Sequence, residues 1–260
     1  MSQKTARIYT SLAPVYNDLM KDVDYEDWAD YVDAIIQELR PDAVSLLELA
    51  CGTGKVAMYL EELDCYEITA TDMSAEMLEI GERKARFRNM QIKWKQLDFY
   101  DIQLDETYDV VFSLFDSVNY IMNEADFLKM LANVEKVMHE DSIFIFDFTT
   151  PKHSEYVNDK LNTDGVSPDG IRFERVSYYV PSQKVHVSEF EIEVLDDDKI
   201  TALRRDREVH RQRIYDLQEV KAIVAKSNFE MLAAYDDFVI EPAHAKTERV
   251  TMVLACRRNP

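Results

Sequence analysis

The chain reads as an α/β protein: a mostly parallel seven-stranded sheet with helices on both faces, interrupted late by an antiparallel β insert. Three observations predict it. Short apolar runs alternate with amphipathic segments between residues 44 and 148. Runs such as Val110–Phe115 and Ile143–Phe148 lack the in–out alternation of a half-wet strand, as strands covered on both faces do. After Thr150 the pattern changes to longer stretches separated by turn residues, and then returns.

The elements follow in order. Trp28, Tyr31, Val32, Ile35, Ile36 and Leu39 recur every three to four residues and predict a helix. Arg40-Pro41 ends it, because the residue before proline is pushed out of the α region. Val44–Ala50 is a strand entering a glycine turn, and Lys55–Leu63 returns to helical spacing. Glu67–Thr71 is a strand ending at Asp72, and Ser74 caps a helix to about Arg86. Met90–Gln96 and Tyr108–Leu114 are strands. Asn123 caps a helix whose apolar face is Phe127, Leu131, Val134 and Met138, and Ser142–Phe148 is the next strand. Strands alternating with helices imply right-handed crossovers and a parallel sheet. Asn162–Gly170 is turn-rich; Arg172–Val180, Lys184–Leu195 and Thr201–Arg211 are strand-like, with hairpin turns at Pro181-Ser182 and Asp196–Asp198. Asp216 and Glu219 have capping-box spacing and open a helix to about Ser227. Phe229–Tyr235 and Thr247–Cys256 complete the sheet. This divides the chain into a helical cap (1–40), a ligand-binding core (41–150), an antiparallel insert or lid (151–212) and a C-terminal completion of the core (213–260).

Composition narrows the function. The 260 residues carry 30 Lys+Arg against 50 Asp+Glu, a formal charge of −20. That balance argues against a protein held by phosphate backbones, so nucleic acid is not an expected partner. It argues equally against anionic lipid, and no apolar run is long enough to span a bilayer. Three cysteines without a C-x-x-C suggest neither a disulfide framework nor a zinc site and fit a reducing cytoplasm. The five histidines are too scattered to suggest a metal set, and Asp196–Asp198 reads as a solvated hairpin tip. Monomer and homodimer are both compatible with this surface.

The chemistry begins at Glu48-Leu-Ala-Cys-Gly-Thr-Gly54. Glycines allow positive φ and close approach of backbone to a ligand. A bare two-glycine turn can be purely structural; a strand before, a helix after and an acid at the next strand end favour a ligand. Gly52-Thr-Gly54-Lys-Val-Ala57 also satisfies G-x-G-x-x-A, with Asp72 placed as the ribose acid of a nicotinamide-cofactor site. Glu48 inside the strand, Asp98 after the third strand and the late insert shift the balance away from that reading.

Taken in order, L-L-E-L-A-C-G-T-G (46–54), T-A-T-D-M-S (69–74), Q-L-D-F (96–99) and Y-D-V-V-F-S-L-F-D-S-V-N-Y (108–120) resemble the class I S-adenosylmethionine-dependent methyltransferases, with their Rossmann-like fold. Tyr9 to Tyr16, Asp22 to Trp28 and His210 to Tyr215 extend the resemblance to small bacterial members of poorly assigned substrate. The resemblance implies S-adenosyl-L-methionine as cofactor. Ala50, Cys51 and Gly52 would lie against its methionine part, and Glu48 would orient the turn or reach the amine through water. Asp72 would accept both ribose hydroxyls, and Met73 would pack on the adenine. Asp98 and the Phe99 backbone would read the adenine edge. Leu114 would line the methionine pocket, and Tyr16, with Tyr9, would close it. Ala50 stands where the family's first glycine is usual, and Glu140-Asp141 replaces a common Gly-Gly turn.

Methyl transfer from a sulfonium needs alignment and an unprotonated acceptor rather than a triad or a metal. Asp116, Asn119, Tyr120 and His210 are the acceptor-side candidates, with His210 the natural base. Against them stand an ordinary strand-end turn at Asp116-Ser117 and, for His210, a strand histidine facing solvent or a neighbouring carboxylate. Tyr25 and Trp28 are further acceptor-side possibilities, with core packing the alternative for Trp28. The chain has Phe115-Asp-Ser-Val118 where nucleobase amino methyltransferases commonly carry D/N-P-P-Y/F. The expected activity is therefore methylation of a nitrogen or oxygen on a small molecule. An NAD-dependent oxidoreductase and a non-catalytic nucleoside- or partner-binding module are the alternatives.

Overall fold

The computed structural model describes residues 4–158, 160–196 and 200–257. The chain runs β1 (Lys4–Thr5), α1 (Ala13–Leu19), α2 (Tyr25–Leu39), β2 (Ser45–Leu49), α3 (Lys55–Glu61), β3 (Glu67–Asp72), α4 (Ala75–Phe87), β4 (Lys93–Gln96), β5 (Tyr108–Ser113), α5 (Glu124–Glu135) and β6 (Met138–Thr149). It continues through α6 (Pro151–Val157), β7 (Thr163–Val166), β8 (Ile171–Val180), β9 (Val185–Leu195), β10 (Ala202–Arg213), α7 (Leu217–Val224), β11 (Phe229–Asp236), β12 (Val239–Pro242) and β13 (Arg249–Cys256).

The central sheet has the order β12-β11-β13-β6-β5-β2-β3-β4. Strands β2 to β6 pair in parallel; β13 lies antiparallel between β6 and β11. It is an α/β sheet with one strand more than the seven expected. The extra strand, β12, is a short edge hairpin on β11 with Val239 and Ile240 exposed, too brief to leave a periodic signal. Burial on both faces explains the unalternating β6. Phe144, Phe146 and Phe148 pack with Phe127 and Leu131 of α5 and Val220 and Ile223 of α7. Ile143 and Ile145 face the opposite way, toward Ile35 and Ile36 of α2 and Val56 and Leu60 of α3. Trp28 is in this second core, 6% exposed and packed against Phe115. The side chains of Ser74, Asn123 and Asp216 accept the backbone N–H bonds expected of helix caps.

The insert is a second sheet, β1-β10-β9-β8-β7, with β8, β9 and β10 forming an antiparallel meander. Strand β7 occupies part of the stretch expected to be turn, and α6 precedes it where no element was expected. Of the turn expected at Asp196–Asp198, Asp197 and Asp198 lie outside the described residues. The N-terminal segment belongs to this sheet as much as to the helical cap, since β1 pairs in parallel with β10. The apolar face of the meander, Phe173, Phe190 and Ile192, covers Leu12 and Val15, trapping the N-terminal segment between insert and core. No helix among the described residues is long and apolar enough to cross a membrane.

Candidate active site

The chain leaves β2, crosses through α3 to β3 and β4, and then returns to β5 on the other side of β2. That reversal opens a crevice at the carboxyl ends of β2 and β5, where ligands bind in open α/β sheets. The turn after β2 is left-handed at Ala50 (φ 54), Gly52 (φ 57) and Gly54 (φ 66). Ala50 therefore carries strain that a glycine would avoid, of order 1–2 kcal/mol. Gly54 has no alternative, because a Cβ there would sit 2.2 Å from the Trp94 ring. Asp72 holds the turn from the end of β3: Oδ2 accepts the N–H of Gly52 at 2.8 Å and Oδ1 that of Ser74 at 2.8 Å.

Tyr16, Glu48, Ala50, Cys51, Gly52, Asp72, Met73, Asp98, Phe99 and Leu114 all line one cleft at this crevice. Tyr9, Tyr25 and Tyr120 join them from other elements. The cleft encloses about 100 Å³ with the N-terminal strap, residues 9–12, in place. Small-molecule sites run to roughly 300–1,000 Å³, so the side chains lining the cleft must shift to admit a nucleoside-sized ligand beneath the strap. Glu48 is 3% exposed, and its Oε2 has no hydrogen-bond partner among the described residues. Burial pushes its carboxyl well above the usual range; the Ala57 amide opposes this and Asp72 reinforces it. Burial likewise raises Asp72, against the amides of Ser74, Gly52 and Met73. Burial, then Glu48 and Asp72, push the Cys51 thiol up, which makes it a lining group rather than a nucleophile.

These donors and acceptors suit S-adenosylmethionine. An orphaned buried carboxyl, Glu48, offers a partner for an amine, and a second, Asp72 at the end of β3, offers two oxygens for paired hydroxyls. The Gly52 turn has no side chain to obstruct the approach.

The acceptor-side residues divide. Phe115 (φ 58) and Asp116 (φ 50) are consecutive left-handed residues after β5, a strained arrangement of the kind that gathers at functional sites. Asp116 is spoken for: its carboxylate accepts from Arg249 at 2.7 Å and from Gln212, while its N–H donates to Asp147. Burial lowers the Arg249 guanidinium, and Asp147 and Asp116 more than restore it. Asn119 is fully buried; it donates to the carbonyls of Thr149 and Arg213 and accepts from the Thr149 N–H. Both residues brace the loop instead of facing an acceptor, because partners distant in sequence consume their polar groups.

Tyr120 reaches the cleft, and His210 stands behind it rather than in solvent. Tyr9 Oη lies 2.7 Å from Tyr120 Oη, which lies 2.9 Å from His210 Nδ1. His210 Nε2 is 3.1 Å from Glu208 Oε2, with His210 4% and Glu208 0% exposed. The sequence reading missed Glu208 and Arg249. A signal for Glu208 exists: Asp206, Glu208 and His210 alternate along β10 on one face, and all three are buried. Polar residues in such a row need partners from elsewhere.

Residues 46–141 match the Methyltransferase domain family. Over 252 residues the chain is 28% identical to a provisionally named methyltransferase of Geobacillus sp., covering 94% of this chain and 98% of that one. The crystal structure of an S-adenosylmethionine-dependent methyltransferase from Clostridium acetobutylicum shares the fold at a TM-score of 0.78. Its identity is 23%, over 96% of this chain and 99% of that one. The sugar N-methyltransferase KedS8 from Streptoalloteichus sp. gives 0.75 at 20% identity, over 99% and 96%.

Proposed function

We infer that this chain, a class I S-adenosylmethionine-dependent methyltransferase, moves the methyl group to a nucleophilic nitrogen or oxygen of a small-molecule acceptor. The observation that carries the reading is the convergence of nine residues from the ends of β2, β3, β4 and β5, with Tyr16 of α1, on one cleft at the topological switch point. Similarity to a sugar N-methyltransferase favours an amine acceptor.

Bound in the cleft, S-adenosylmethionine supplies a methyl carbon activated by its sulfonium. Asp72 offers its two carboxylate oxygens to vicinal hydroxyls while the Gly52 and Ser74 amides fix its orientation. Glu48 presents a buried oxygen to a cationic amine, whose charge would relieve its desolvation. Met73 and Phe99 offer apolar surface to the base, and Asp98 an acceptor oxygen. Leu114 and Tyr16 shape the wall around the reacting centre and exclude water. Tyr120 faces the acceptor side and hands protons back to His210. The braced loop 115–120 keeps Tyr120 in place, which supports catalysis by alignment.

Calorimetric titration with S-adenosylhomocysteine, with NADH as control, tests the cofactor. Micromolar binding of the first alone is expected; binding of NADH alone would sink the reading. Acceptors are then screened as small amines and alcohols by release of S-adenosylhomocysteine. The chain acts as a monomer or homodimer in the cytoplasm, and light scattering decides between the first two.

A further inference from the structure

The N-terminal strap and the histidine behind Tyr120 meet on a single carboxylate. Glu208 is fully buried in β10. Its Oε1 accepts the N–H groups of Ser11 at 2.6 Å and Leu12 at 2.9 Å. Its Oε2 accepts the N–H of Tyr9 at 2.7 Å and faces His210 Nε2. Three backbone donors of the strap and one ring nitrogen thus share two oxygens. Tyr9 is held from every side: its φ is 60, its carbonyl accepts from Ser74 Oγ at 2.8 Å, and its hydroxyl meets Tyr120. A non-glycine residue keeps such a conformation only where its surroundings enforce it.

The direction of the protons follows from Glu208. An ionised carboxylate only accepts, so His210 Nε2 carries the hydrogen. Nδ1 of the neutral ring then accepts from the Tyr120 hydroxyl, and the Tyr120 oxygen accepts from Tyr9. Burial pushes the Tyr120 phenol up, so it passes a proton without resting as the anion.

We propose that Glu208 is a positioning residue that couples closure of residues 9–12 over the cofactor cleft to the orientation of His210 behind Tyr120. The inference rests on the methyltransferase reading. With the strap down, the histidine is held in the tautomer that can take a proton. With the strap lifted, three amides leave the carboxylate and Tyr9 leaves Tyr120. An acceptor ammonium gives its proton to Tyr120 Oη while the Tyr120 proton moves to His210 Nδ1. The positive charge then sits on an imidazolium facing the Glu208 carboxylate. The freed nitrogen lone pair forms the new C–N bond as the C–S bond breaks and its pair goes to sulfur. Deprotonation is thereby confined to the closed, water-excluded state.

The test uses the full chain, Glu208→Gln, and S-adenosylhomocysteine as probe. Three readings are taken: affinity by calorimetry, amide hydrogen exchange at Tyr9, Ser11 and Leu12, and the His210 tautomer by ¹⁵N NMR. Wild type is expected to show Nε2–H and protected strap amides. Glu208→Gln is expected to bind about tenfold more weakly, lose protection at the three amides and lose the single tautomer. Weakened binding with an unchanged tautomer would make Glu208 a strap fastener only and overturn the coupling. A changed tautomer with unchanged binding and exchange would overturn it from the other side. Failure of wild type to bind the probe would overturn the methyltransferase reading itself, and the proposal with it. If Glu208→Gln does not fold, Glu208→Asp, which keeps the charge and shortens the reach, is read the same way.

Discussion

Replacing Gly54 by alanine tests the geometry that builds the cofactor turn. Gly54 is the N-cap of α3 and sits at φ 66. A Cβ there would lie 2.2 Å from Trp94 Cη2 and 2.7 Å from Cζ3, inside any permitted contact. The ring cannot retreat freely, because it is also packed tightly against Gly81, where a Cβ would approach Cη2 within 2.7 Å. The left-handed conformation costs an alanine about 1–2 kcal/mol. Overpacking adds about 1–3 kcal/mol. The stiffer unfolded chain returns roughly 0.4–1 kcal/mol. The expected loss is about 2–4 kcal/mol, which at 2–4 °C per kcal/mol lowers Tm by roughly 5–15 °C. Thermal unfolding by circular dichroism reads it. Trp94→Ala in the Gly54→Ala background separates the two causes: only the overpacking part should be recovered, as a favourable coupling of about 1–3 kcal/mol. A Gly54→Ala variant melting within 2 °C of wild type would refute the packing argument, and strict additivity with Trp94→Ala would refute the clash.

Four further outcomes are expected. Asp72→Ala should weaken S-adenosylhomocysteine binding roughly a hundredfold, two charge-assisted bonds at about 1.5 kcal/mol each; a loss within about twofold, by calorimetry, rejects the ribose assignment. Glu48→Gln should act in opposite directions on stability and binding. Burial raises the folded Glu48 carboxyl above its unfolded value, so its contribution is fully present below about pH 4.3 and lost as pH rises toward the folded value. The variant should therefore be about 1–3 kcal/mol more stable than wild type at pH 7, the gain vanishing near pH 4, while binding the probe more weakly; denaturant melts at both pH values decide. His153 behaves inversely: burial, then Arg249, push it down to about 4. Its contribution is present above the unfolded value near 6.5 and lost as pH falls toward 4, about 2 kcal/mol after allowance for its partial exposure. His153→Gln should flatten the stability profile across that window, and an unchanged slope would contradict the assignment. Finally, Tyr120→Phe should slow methyl transfer to an identified acceptor by about 10²–10⁴ while leaving probe affinity within about threefold; an unaltered rate removes Tyr120 from the proton path.

The cofactor half of the site was legible because it is assembled from local grammar. Glu48, the Gly52–Gly54 turn, Asp72 and Asp98 each end or follow a strand, and a parallel sheet brings successive strand ends to one edge. Motif spacing therefore translated directly into proximity. The acceptor half was legible only as residue types. Tyr120 and His210 were identified, but their alignment depends on a meander folding back over the core. Asp116 and Asn119 read as acceptor-facing because their loop sits at the switch point. Arg249, 133 residues from Asp116, and the Arg213 carbonyl, 94 residues from Asn119, took their polar groups. Strand β12 went unseen because four residues of an edge hairpin carry no period.

What the sequence determined alone is the order of the core strands β2–β6, β11 and β13 with the helices between them, the place of the glycine turn and the acids beside it, and, through the resemblance those motifs carry, the class of chemistry. Periodicity and capping act over a few residues, so they can be read without the fold. What the tertiary structure decided is which polar groups remain available. Tyr9 and Glu208 stand 199 residues apart and share a hydrogen bond, because β1 docks on β10 and the meander's apolar face closes over Leu12 and Val15. A buried polar group takes whatever partner packing brings to it. The hydrogen-bonded row Tyr9–Tyr120–His210–Glu208 is therefore a property of the packed molecule rather than of any one segment.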